Sequence, residues 1–214
     1  MRDRHGGGIG AFLREKGTLT PFVLLYMAGF GAMAVVRGNT EFIFYGVVMV
    51  ILIALVVWAD RRVRFSRPVL WGLAIWGLLH MAGGNVPVGT NAEGKPIVLY
   101  SFRPWAGFLR YDQAVHIFGF FIATLACWEA LRAGVRPLGA LRPTPGVVFG
   151  VVLMGMGLGA LNEVVEFAAD QSLESTNVGG YENTGWDLVC NTAGCAAAGV
   201  LIWARRRRGA RDAE

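Results

Sequence analysis

Three pairs of polar residues recur at helical spacing along this chain. Asp112 and His116 are four residues apart, Glu163 and Glu166 three, and Asp187 and Asn191 four. Residues three or four apart share one face of a helix. Carboxylates and imidazoles are the donor types that hold zinc or another transition metal. The same groups serve as general acids and bases, or as stations of a proton path. His80, in a further apolar stretch, offers a second imidazole, and Asn162 precedes the Glu163–Glu166 pair.

The runs that carry these residues are apolar. Of the 214 residues, 54% are hydrophobic and only 16% are charged. Soluble domains average about 25% charged residues. Six runs near the length of a bilayer crossing are visible, at 19–36, 42–59, 69–86, 112–131, 147–168 and 185–204. A crossing helix needs roughly 20 apolar residues. The expected fold class is therefore all-α, a polytopic bundle of six transmembrane helices. It forms a single membrane domain over 19–204, with the site helices at 69–204 and tails at 1–18 and 205–214. No small-x-small cleavage site ends the first run, so it reads as a span. The first two runs carry no ionisable side chain and read as lipid-facing scaffold.

Arginines fix the expected orientation. The N-terminal segment, the 60–68 and 132–145 loops and the C-terminal tail together hold sixteen of the 20 Lys and Arg residues. The positive-inside rule then places both termini in the cytoplasm of a multi-pass plasma-membrane protein. The net charge of +5 is explained by these flanks and does not point to nucleic acid. Cys127, Cys190 and Cys195 fall inside apolar runs in no metal-like spacing and read as small filler. The 88–110 connection is too long for a simple turn. Its Tyr100 and Trp105 suit a membrane interface, and Arg103 and Arg110 suit an anionic head group.

With both termini inside, the polar pairs share one depth. At ~1.5 Å of rise per residue, His116 lies about 6 Å below Asp112, and Glu163, Asp187, Asn191 and His80 lie within about 9 Å of the outer ends of their spans. Four helices thus offer polar stripes in the outer third of the bilayer. Ionisable groups there are unfavourable in lipid and need partners. In the first reading, Asp112, His116, Glu166 and His80 hold a divalent metal such as zinc or a water. Glu163 or Asp187 then moves the proton, and Asn191 and Asn162 orient their neighbours. The substrate would be lipid-linked or part of the cell envelope. Two carboxylates working without metal, one kept protonated, are another option. A proton- or cation-coupled transporter and a structural polar cluster that joins helices remain alternatives. The apolar inner halves of spans three to six favour the enzyme over a through-path.

Four blocks also carry a resemblance. Leu79-His80-Met81, Tyr111 to His116, Asn162 to Glu166 and Asn183 to Gly194 resemble the YjdF-like bacterial inner-membrane family. The last three are similar to the wider VanZ-like group, whose pattern is Asp-Lys-x-x-His, Glu-x-x-Gln and Asp-x-x-x-Asn-x-x-Gly. Gln113 and Glu166 depart from that pattern, where the VanZ-like group has Lys and Gln. The resemblance covers about residues 70–200. It implies a helical membrane protein of an uncharacterised family with these residues in its site, and it names no reaction.

Overall fold

The computed structural model describes residues 17–92, 94, 96–103, 109–173, 176 and 179–211. The N-terminal tail up to residue 16, and Trp105, lie outside the described residues. Among the described residues six long helices follow one another: α1 (Leu19–Val36), α2 (Thr40–Val63), α3 (Arg67–Asn85), α4 (Tyr111–Val135), α5 (Pro145–Ser172) and α6 (Tyr181–Arg211).

Local chemistry sets the helix ends. Gly38, at φ 64°, makes the tight turn between α1 and α2, a backbone conformation that suits glycine. The Asn39 side chain then accepts from the Phe42 N–H at 3.1 Å and caps α2. Thr144 caps α5 in the same way, accepting from Val147 N at 3.3 Å, and Pro145 follows at the first helical position. The three helices that carry the polar pairs are longer than the sequence predicts: α4 runs to Val135 rather than 131. α5 continues past 168 to Ser172, and α6 begins at Tyr181 rather than 185.

The 88–110 connection is not wholly irregular. β1 (Pro87–Thr90) pairs antiparallel with β2 (Pro96–Val98), a short hairpin in an otherwise helical chain. A 3-10 turn, Leu99–Ser101, returns the chain to α4, where Tyr111 N donates to Phe102 O at 2.8 Å.

Among the described residues five helices, all but α3, are long and apolar enough to cross a membrane. α3 is long enough, but Trp71, Trp76, His80 and Asn85 lower its mean hydropathy. The reason is its position. Nine of its 19 residues are buried, Asn85 among them, so its polar groups face protein. Hydrogen bonds tie both of its ends. At one end Ser66 donates its N–H and its hydroxyl to Glu129, at 2.8 and 2.6 Å. At the other, Arg37 donates to Asn85 O at 2.7 Å and Tyr111 to Leu79 O at 3.0 Å. The Glu129 end is also where arginines stack on tryptophans: Arg62 on Trp58, Arg132 on Trp128 and Arg206 on Trp203, at 4.4, 5.5 and 4.5 Å. Interfacial tryptophan with a flanking cation is the usual dress of a membrane boundary.

α4, α5 and α6 pack tightly on one another. A Cβ on Gly194 of α6 would collide with the Ile117 carbonyl of α4, so the two backbones touch there. A Cβ on Gly159 of α5 would stand 3.0 Å from the Asn191 side chain. Glycine on these faces brings the polar residues of three helices within reach of each other.

Candidate functional site

His116 is the centre of the polar cluster. It sits one turn into α4, whose first turn also carries Asp112, a favourable place for a carboxylate against the helix dipole. Arg110 N donates to Gln113 Oε1 at 2.9 Å and helps start this helix. The imidazole is buried, with 5% exposure. Its Nε2 lies 3.5 Å from Asp112 Oδ1 and 3.9 Å from Glu166 Oε1. Its Nδ1 lies 2.9 Å from Asn191 Oδ1 and 3.6 Å from Glu163 Oε1.

Hydrogen-bond logic assigns the tautomer. Asn191 Nδ2 donates to Glu163 Oε1 at 3.2 Å. An ionised carboxylate only accepts, so the amide must present Oδ1 to the imidazole. Nδ1 of His116 therefore carries the hydrogen, and in the neutral ring the Nε2 lone pair points to Asp112 and Glu166. Metal-binding histidines are held in this manner, with the far nitrogen donating to a fixed acceptor.

The cluster has a buried floor and a rim. Glu163, Asp187 and Asn191 are 6%, 1% and 1% exposed, whereas the Asp112 and Glu166 side chains reach 17% and 14%. Asn162 donates to Glu166 Oε1 at 2.8 Å. Arg110 donates to Asn183 Oδ1 at 2.6 Å, and Asn183 donates in turn to Asp187 Oδ2. Two carboxylate oxygens at the floor, Glu163 Oε2 and Asp187 Oδ1, have no hydrogen-bond partner among the described residues. Two sets of donor atoms, each within 4.8 Å, share His116: Asp112, His116 and Asp187, and His116, Glu163 and Glu166. Four carboxylates around one imidazole carry excess negative charge in a buried place. Protons or a cation must balance it.

Beneath the cluster the packing is apolar. Thr124 spends its hydroxyl on Phe120 O at 2.7 Å. Val151, Cys195, Ala198 and Ile202 are all buried there.

The structure thus brings together Asp112, His116, Asn162, Glu163, Glu166, Asp187 and Asn191. Arg110 joins them through Asn183. His80 stands apart, outside both donor sets. Its Nδ1 is 2.6 Å from the Tyr100 hydroxyl, which also donates to His80 O at 3.0 Å. The rings of Tyr45 and Phe42 stand 5.6 and 6.3 Å away. Burial pushes the Tyr100 hydroxyl well above the usual phenolic range, so it stays protonated at neutral pH. Arg103 is exposed. Sequence reasoning missed Asn183 and Tyr100 as members of these networks. Asn183 had a signal, since it precedes Asp187 by one helical turn. Tyr100 had none beyond its suitability for an interface.

Comparison with known proteins gives a family and no reaction. A protein of Thermotoga maritima described as "Uncharacterized protein" is 27% identical over 97 residues, which is 45% of this chain and 49% of that one. The chain therefore matches about half the length of that relative. No solved structure matches. The family model described as "Predicted membrane protein (DUF2238)" matches residues 18–208, and the chain belongs to that family.

Proposed function

We propose that this member of a membrane-protein family is a six-span plasma-membrane protein with a divalent-cation site, such as for zinc, at its extracytoplasmic end. The site hydrolyses a lipid-linked or cell-envelope substrate. The observation that carries this reading is the pair of partnerless buried oxygens, Glu163 Oε2 and Asp187 Oδ1, beside two donor sets that share His116. A buried carboxylate oxygen without a partner costs about 1–3 kcal/mol or more. A cation among these donors would remove that cost.

In this reading Nε2 of His116 holds the cation with one of the two carboxylate pairs that share it, Asp112 with Asp187 or Glu163 with Glu166. A bound divalent cation supplies an acidified water at neutral pH. Glu163 or Asp187 takes the proton, with Asn191 and Asn162 holding His116 and Glu166 in place. Arg110, bonded to Asn183 beside the cluster, and the exposed Arg103 of the same connection would meet an anionic head group. The resemblance of the four sequence blocks to YjdF-like proteins, near the VanZ-like group, supports a shared site at these residues. A proton- or cation-coupled transporter would use the same residues, but the apolar packing around Val151, Ala198 and Ile202 favours a closed site.

Metal content of the detergent-purified protein tests the proposal, with His116→Ala and Glu163→Gln beside wild type. Near-stoichiometric divalent metal in wild type, lost in H116A and lowered in E163Q with the fold intact, is the expected result. A well-folded wild type that stays metal-free after reloading overturns it.

A further inference from the structure

The far end of α4 from His116 borders a second polar feature. A recess of about 570 Å³ lies between the α2–α3 loop and the end of α4 with the chain that follows it. Three arginines line it: Arg64 from the loop, and Arg132 and Arg136 from the α4 side. Each stands on ordered backbone. Arg64 closes α2 in the left-handed conformation, at φ 57°, with its N–H on Asp60 O at 2.9 Å. Arg132, still within α4, lies over Trp128, and Arg136 opens a 3-10 turn, Arg136–Leu138. The fold does not use up these charges. Two nearby carboxylates serve other donors instead. Asp60 accepts from Phe65 N at 2.8 Å, and Glu129, on the recess wall, accepts from Ser66 N and Oγ. Among the described residues neither Arg64 nor Arg136 forms an ion pair. Orienting the chain does not require them to converge. Arg61 and Arg62 lie outside the recess and serve the positive-inside rule equally.

We propose that the recess binds the phosphate of an anionic phospholipid head group from the adjacent leaflet. Guanidinium groups meet a phosphate with paired N–H donors, and basic pockets between helices at a membrane surface receive acidic head groups. Depth argues for a lipid over a free phosphate. Trp58 and Trp128, each covered by an arginine, mark the membrane boundary, and Trp128 is one helical turn from Arg132. Val63, Ala133 and Leu141 add aliphatic wall beside the arginines. Such a wall suits the glycerol and upper chain of a lipid and offers a bare phosphate nothing. The recess uses none of the residues around His116, so it stands or falls apart from the cation site.

Native mass spectrometry of the full chain in detergent tests this, with phosphatidylglycerol, phosphatidylethanolamine and glycerol 3-phosphate as probes. Phosphatidylglycerol should bind wild type about tenfold more tightly than phosphatidylethanolamine. Glycerol 3-phosphate should not bind at the concentration where phosphatidylglycerol saturates. Arg64→Gln combined with Arg136→Gln removes two charges from the recess. Arg61→Gln combined with Arg62→Gln removes two charges from the surface beside it. The first pair should lose about tenfold in phosphatidylglycerol binding and the second less than about twofold. R64Q and R136Q taken singly, each expected to lose about threefold, carry the test if the first pair does not fold. Equal losses in the two pairs would mean attraction by surface charge at large and overturn the recess. Equal binding of the two lipids overturns it as well. Glycerol 3-phosphate binding as tightly as phosphatidylglycerol overturns the lipid and makes the recess a free-phosphate site.

Discussion

Asn191 is the residue on which the geometry of the cluster turns. It spans the gap between α4 and α5, accepting from His116 and donating to Glu163, while itself 1% exposed. Asn191→Ala would leave an imidazole N–H and a buried carboxylate oxygen without partners. Each such group costs about 1–3 kcal/mol. The expected outcome is a lower melting temperature in detergent and a cation affinity weaker by about 10–100-fold, the usual effect of losing a group that orients a ligand. Isothermal titration with zinc reads the second quantity. Unchanged affinity in a folded variant would show that Asn191 only joins helices. His80 should behave in the opposite way. Its partner is Tyr100, and that hydroxyl stays protonated at neutral pH. Tyr100→Phe should therefore lower stability by about 0.5–1.5 kcal/mol, with zinc affinity within experimental scatter of wild type. A large loss of zinc binding in Y100F would return His80 to the ligand set.

At the scale of elements, α4, α5 and α6 hold the cluster through close backbone approach. Gly194 of α6 lies against the Ile117 carbonyl of α4, one residue past His116. Gly194→Leu has no room there and must push the helices apart. Overpacking of this kind costs about 1–3 kcal/mol. It should also stretch the 2.9 Å contact between His116 and Asn191, so zinc binding should fall together with the melting temperature. Gly157→Leu, where a Cβ meets open space on α5, should change neither. These two readouts in detergent separate a tight seam from generic sensitivity to bulk. The pairs themselves were legible in the sequence because helical period is local: Asp112 and His116 need only their own helix to share a face. The meeting of the pairs was legible more weakly, through matched depth and charge. The His80–Tyr100 pair was not legible. It depends on the 88–110 connection folding back on α3 through a hairpin of four- and three-residue strands. Strands that short, each opening on proline, leave no alternating pattern to read.

At the scale of the whole molecule, parity decides how the site is served. Five helices are apolar enough to cross a membrane on composition alone. Five crossings would put the termini on opposite sides, and six would put them on the same side. α3 is the helix in question, and hydropathy is a poor guide to it because so much of it faces protein. Its 19 residues reach about 28 Å at about 1.5 Å each, close to the ~30 Å core. It is tied to Glu129 at the end where arginines stack on tryptophans, and to Tyr111 and Arg37 at the end that holds the cluster. A helix tied at both boundaries suits a sixth crossing, as proposed above. The expected topology therefore has the arginine-rich ends of α2, α4 and α6 in the cytoplasm and the β1–β2 hairpin outside. Single cysteines test this in intact cells, in a background with the three native cysteines replaced by alanine. A cysteine at Gly89, on the exposed β1, should react with a membrane-impermeant maleimide, and one at Leu138, 91% exposed beyond α4, should react only after lysis. The reverse pattern would place the His116 cluster on the cytoplasmic side and make its substrate an inner-leaflet one. Labelling of both before lysis would mean that α4 does not cross, and the bundle would have to be redrawn.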